Sequence, residues 1–158
     1  MKKVIFSLFI SILMINLLIG CSNSKTQITI DNKDFAKNLI VERMEDNVTS
    51  DEFNKEISNT SEIEEVLGMV DDMKVQKADK NASEILKTNQ SSEIYVYSFF
   101  KEKIETGKIV PYAFIILEDG TFIYTHDKVN SVRQKPLISV EKHKDMVNDL
   151  KDKLEINF

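Results

Sequence analysis

Asp119-Gly120 constrains this chain more than any other pair of residues. It stands between PYAFIIL (111–117) and a run that begins TFIY (121–124). An Asp-Gly pair between β-prone runs favours a two-residue type I′ hairpin, because both central positions need a positive φ. Such a turn fixes a register, with Glu118 opposite Thr121, Leu117 opposite Phe122 and Ile116 opposite Ile123. Both faces of 111–117 are apolar, so it reads as a central strand covered on both sides. A third β-prone run, EIYVYSFF (93–100), precedes it across a charged loop containing Gly107.

Helical signals flank these strands. Ser61 and Glu64 make a capping-box pattern, and Ile63, Val66, Leu67, Val70 and Met73 follow at helical spacing, so a helix is expected over about 61–73. Gly68 sits in its middle, where a glycine commonly permits close packing. Ser139 or Val140 leads into a C-terminal helix over about 140–155, with His143, Val147, Leu150 and Leu154 on one stripe. Short strands are expected at 27–30, 74–78 and 136–140. Residues 33–45 fit either a helix begun by Asp34 or a strand near 39–44, and the strand is preferred. Thr49 and Glu52 form another capping-box pattern, which points to a short helix through Ile57. Residues 79–92 are polar and read as an exposed connection with one helical turn. The pattern is α+β: a small antiparallel sheet with two amphipathic helices packed on it.

The N-terminus carries a different kind of information. Lys2 and Lys3 precede an apolar run over 4–19, then Gly20 and Cys21, the sole cysteine. A basic start, an apolar stretch and a small residue at the junction describe a secretory signal. The run is interrupted by Ser7, Ser11 and Asn16 and is short for a spanning helix, which wants about 20 mainly apolar residues. Leu18-Ile19-Gly20-Cys21 resembles the lipobox of bacterial lipoproteins. The resemblance implies cleavage before Cys21, diacylglycerol on its sulfur, and anchorage to the extracytoplasmic side of the cell membrane. It divides the chain into a signal peptide (1–20), a short tether (21–27) and one domain (28–158). Residues 22–27 span no more than roughly 20 Å, so that domain is expected to start close to the bilayer.

Composition restricts the partners. The chain carries net −5, and removing Lys2 and Lys3 leaves −7 (−5 minus 2). That balance argues against nucleic acid and against adhesion to anionic lipid through basic patches, leaving the acyl anchor to hold the membrane alone. With Cys21 acylated, no thiol remains for a disulfide, a metal site or a nucleophile. Arg43 and Arg133 are the only arginines against abundant lysine, a bias similar to proteins of low-GC Gram-positive bacteria. The Glu62-Ile63-x-x-Val66-Leu67 helix before an Asp-Gly hairpin also resembles small lipoproteins of those bacteria that lack an established activity, so only Cys21 takes a role from the likeness.

No catalytic constellation is expected. His126 and His143 have no metal-ligand spacing between them. The paired carboxylates Glu64 and Glu65, Asp71 and Asp72, and Glu118 and Asp119 fall at helix starts, on helix faces and in a turn, where solvation explains them. Ser139 and Lys142 spell S-x-x-K, but the S-D-N and K-T-G partners of that motif are missing. Neither a cofactor nor a metal is expected. Tyr95, Tyr97 and Tyr124 lie on the hairpin sheet and mark the place to look for an interaction face, although finishing the sheet explains them better. The function expected is a non-enzymatic binding module of the envelope with a protein or peptide partner. The alternatives are a small-ligand-binding or sensing lipoprotein and, less favoured, a cell-wall hydrolase.

Overall fold

A computed structural model describes residues 25–45, 48–89, 93–102, 112–125 and 135–158. The leader, Cys21 and His126 lie outside the described residues. Eight strands form one antiparallel sheet: β1 (Thr26–Gln27), β2 (Asn38–Glu45), β3 (Val48–Ile57), β4 (Lys74–Lys77), β5 (Ile94–Phe100), β6 (Tyr112–Leu117), β7 (Phe122–Thr125) and β8 (Leu137–Ser139). Their spatial order is β1-β4-β8-β7-β6-β5-β2-β3. Three α-helices accompany them: α1 (Thr60–Val70), α2 (Ala82–Thr88) and α3 (Lys144–Lys153). The α+β arrangement read from the sequence is the one observed. Among the described residues no helix is long and apolar enough to cross a membrane.

The period-2 alternation of strands sorts the side chains onto two faces. Leu39, Val41, Tyr95, Tyr97, Phe99, Phe114, Ile116, Phe122 and Tyr124 point to one face. There they bury Ile63, Val66, Leu67 and Val70 of α1 with Val147 and Leu150 of α3 in a single core. Ile94, Ile115, Leu117 and Ile123 point the other way and meet Ile85 and Leu86 of α2. β6 is therefore covered on both sides, as its doubly apolar sequence requires.

The hairpin tip differs from the expected turn by one residue. Ile116 faces Phe122 and Ile115 faces Ile123, so the loop is Glu118-Asp119-Gly120. The Gly120 N–H donates to Leu117 O at 2.8 Å, and the Leu117 N–H donates to Thr121 O at 3.0 Å. Only Gly120 in this loop has a positive φ, +86°. These are the features of a type I turn closed by a glycine bulge. A one-residue slip exchanges the faces of a whole strand, and this register puts Phe122 and Tyr124 in the main core.

Other boundaries move for local reasons. α1 is capped by Asn59, whose side chain accepts from the Ser61 N–H at 3.1 Å and donates to Glu62 at 2.7 Å. The N-cap therefore lies two residues before the expected Ser61, and Glu62 meets the Asn59 side chain rather than closing a capping box. The helix stops at Val70, where Asp71 takes the C-cap position and Asp72 has a φ of +59°. Gly68 is exposed on this helix, and a Cβ there would meet no atom within 4 Å, so it serves no close packing.

The expected helix at 49–57 is part of β3, because pairing with β2 over Leu39↔Ile57 to Glu42↔Asn54 outweighs a local capping pattern. α2 has seven residues rather than one turn. α3 starts at Lys144, not near 140, since Ser139 belongs to β8 and Val140 donates to Lys74 O at 2.9 Å. The first strand begins at Thr26, inside the expected tether. The Ile28 N–H then donates to Met73 O at 3.0 Å, and chain 28–30 leaves the sheet.

Candidate functional site

The three tyrosines singled out from the sequence are core residues. Tyr95, Tyr97 and Tyr124 are 2%, 0% and 2% exposed, which agrees with the preferred expectation that they finish the sheet and not with the alternative of an open interaction face. The physical reason is the direction of the strand pleat. Tyr97 faces Val41 on β2 and Phe114 on β6, and that face is roofed by α1 and α3. Its ring stacks on Phe114 with centroids 4.8 Å apart, and Phe114 also meets Phe122 at 5.8 Å and Tyr124 at 6.0 Å. Each such pair adds about 0.5–1.5 kcal/mol beyond its buried area.

Burial pushes the Tyr97 and Tyr124 phenols far above their ordinary range, so both stay protonated. The Tyr124 hydroxyl donates to the Met73 sulfur at 3.0 Å. The Tyr97 hydroxyl has no hydrogen-bond partner among the described residues.

Tyr95 ends in a polar cluster, the densest among the described residues. Its hydroxyl lies 2.8 Å from Glu93 Oε2 and 3.2 Å from the Phe158 carbonyl oxygen, while Lys151 Nζ donates to it at 2.9 Å. Lys151 also sits 3.7 Å from Glu93. Arg43 pairs with Glu45 at 2.6 Å, lies 4.0 Å from Glu93, and lays its guanidinium over the Phe53 ring at 3.9 Å. Burial pushes the Tyr95 phenol up despite the Lys151 bond. The same bond holds the Lys151 ammonium above its ordinary range.

A protonated phenol between a cation and a carboxylate acts here as a structural joint. It ties the end of α3 to β5 and β2. Sequence reasoning missed this cluster, although Leu39-x-Val41-x-Arg43 alternation already places Arg43 on the covered face.

The other candidates are brought into separate structural contacts. Asp71 accepts from the Ile30 N–H at 2.9 Å and pairs with Lys33. The Lys33 ammonium, then the Ile30 amide, hold its carboxyl below the usual range. Asp71 thereby clamps the 28–33 segment to the end of α1.

Burial alone would raise Asp119, but bonds from Lys142 at 2.8 Å and from the Thr121 amide at 2.9 Å outweigh it and lower its pKa. Ser139 Oγ accepts from the Phe122 N–H at 3.1 Å, so neither partner of the S-x-x-K pattern faces the other. His143 precedes α3, donates its N–H to Gly120 O at 2.8 Å, and presents its ring to the Phe122 edge at 6.0 Å. Glu65 pairs with Lys153. Among the described residues no group of three or more His, Cys, Asp or Glu is placed to hold a metal ion.

No protein-family model, curated protein or solved structure matches this chain.

Proposed function

We propose that this chain is a lipid-anchored extracytoplasmic protein whose domain is a non-enzymatic binding module of the cell envelope. The observation that carries the reading is the junction at Cys21 together with a strand that begins at Thr26, five residues later (26 minus 21). At about 3.3–3.6 Å per residue that tether reaches roughly 17 Å. A domain held so close acts on what lies at the membrane surface.

The binding role is supported by the state of the charged side chains. Asp71, Asp119, Glu65 and Glu93 each lie in an ion pair that joins two segments. The partner is a protein or peptide of the envelope. Crosslinking in intact cells, followed by capture of the anchored chain from solubilised membranes, tests this. One membrane or envelope protein should be enriched over a chain carrying the same anchor on an unrelated domain. Equal recovery from both anchors contradicts the reading.

A further inference from the structure

The net negative charge of the chain hides how its charge is arranged. β1 and β4 are antiparallel, with Thr26 beside Val75 and Gln27 beside Lys74. Lys25, directly before Thr26, therefore stands at the end where β4 finishes with Lys77. Lys77 faces Leu137, and the Ala78 N–H donates to Pro136 O at 2.9 Å, so Lys80 and Lys135 stand at this end too.

The register carries the same end across the sheet. Tyr124 faces Leu137, Ala113 faces Thr125, Tyr112 faces Phe99 and Phe100 faces Asn38. Lys101 and Lys37 therefore join the row. With Lys25, these six lysines are exposed, and none pairs with a carboxylate among the described residues. Among the described residues, Asp79, Glu102 and Glu56, the last beside the Ile57 end of β3, are the carboxylates in the same row of strand ends. Among the described residues, the opposite end carries Glu45, Asp72, Glu93, Glu118, Asp119 and Glu141 against Lys74, Lys142 and Lys144, the last at the start of α3 beside Gly120. Glu62 and Glu64 begin α1 next to β3, on the flank farthest from β1. Seven strand spacings of about 4.8 Å separate those flanks, some 34 Å.

We propose that the lysine-bearing end of the sheet rests on the bilayer, with Lys25, Lys77, Lys80 and Lys135 against anionic lipid headgroups. The proposal builds on Cys21 as the membrane attachment, since the tether leaves from this same end. An anionic lipid surface attracts basic side chains within about a Debye length, ~8 Å at physiological salt. A tether of roughly 17 Å at full stretch lets these lysines come within that field, while the acidic end is turned outward. The anchor and the face together then orient the domain, and net charge alone hides this.

The sole thiol makes a direct test possible. The chain from Cys21 onward contains every element of the fold and is coupled through Cys21 to a maleimide lipid. The vesicles are phosphatidylcholine alone or one-third phosphatidylglycerol. Amine acetylation is then followed lysine by lysine by mass spectrometry. Phosphatidylglycerol should slow acetylation of Lys77, Lys80 and Lys135 by about threefold or more, leave Lys74 and Lys144 unchanged, and lose this effect in high salt. Equal rates on the two vesicles, or protection centred on Lys74 and Lys144, would overturn the proposal.

A chain with Lys77→Glu, Lys80→Glu and Lys135→Glu should lose the protection of Lys25, and retained protection counts against the face. The maleimide link does not depend on acylation in cells. A failed anchor at Cys21 and a failed lysine face therefore give different results.

Discussion

Gly120→Ala should destabilise the domain by about 2–5 kcal/mol. Two independent effects add at this position. Gly120 has a φ of +86°, and an L-residue in that region costs roughly 1–2 kcal/mol. A Cβ would also lie 2.6 Å from the Lys144 amide nitrogen, 2.8 Å from that of His143 and 2.9 Å from the His143 carbonyl carbon. All three are backbone atoms at the start of α3, so no side chain can swing aside, and overpacking of this kind costs about 1–3 kcal/mol.

Relief requires the hairpin tip and α3 to separate, which strains the bond from the His143 N–H to Gly120 O. Urea unfolding followed by circular dichroism on the chain from Ser22 onward reads this out. With a slope of about 2 kcal/mol/M, the midpoint should fall by roughly 1–2.5 M at constant slope. Gly120→Asn separates the two effects, because asparagine tolerates the left-handed region but still brings a Cβ. A Gly120→Ala stability within about 0.5 kcal/mol of the parent chain would refute the docking of the tip on α3.

Gly68→Ala should act in the opposite sense, raising stability by about 0.5–1 kcal/mol, since its Cβ enters open space on an exposed helix face. Asn59→Ala should cost about 1 kcal/mol while Ser61→Ala costs less than about 0.5, and denaturant midpoints of the two variants distinguish the cap positions. Asp71→Asn should flatten the acid limb of stability. The Asp71 carboxyl is depressed in the folded chain, so its contribution is complete above the unfolded value near ~3.9 and is lost as pH falls through the folded value. Midpoints measured between neutral and strongly acid pH should converge for the two chains at the acid end, and parallel curves would contradict the clamp.

The strands were the most legible part of the sequence because their information is local. Ile94 to Phe100 and Tyr112 to Leu117 announce themselves by aromatic and β-branched residues. The DG tip was legible as a turn but not in its register. Asp-Gly serves either at the centre of a two-residue loop or at the end of a three-residue one. The contact that accompanies the second form, Gly120 on His143 and Lys144, joins segments more than 20 residues apart (143 minus 120 is 23).

Thr49-x-x-Glu52 misled for the same reason, since a local cap pattern says nothing about the β2 partners waiting for Asn54, Lys55 and Ile57. Alternation placed Tyr95 and Tyr97 on one face, but only α1 and α3 decide that this face is inside. The lysine row was invisible for want of strand order. Lys25, Lys77 and Lys135 are far apart in the chain and come together only through the β1-β4-β8 pairing. The resemblance at Cys21 needed no fold, because a lipobox pattern is read within four residues.

The proposed anchor at Cys21 underlies both the proposed binding role and the proposed lysine face, and labelled palmitate tests it most directly. The full chain and its Cys21→Ala variant, each expressed in a low-GC Gram-positive host, are compared for label after detergent extraction. The account predicts label on the parent chain in the membrane fraction and none on Cys21→Ala. Label retained on Cys21→Ala, or a parent chain that takes up none, would contradict it.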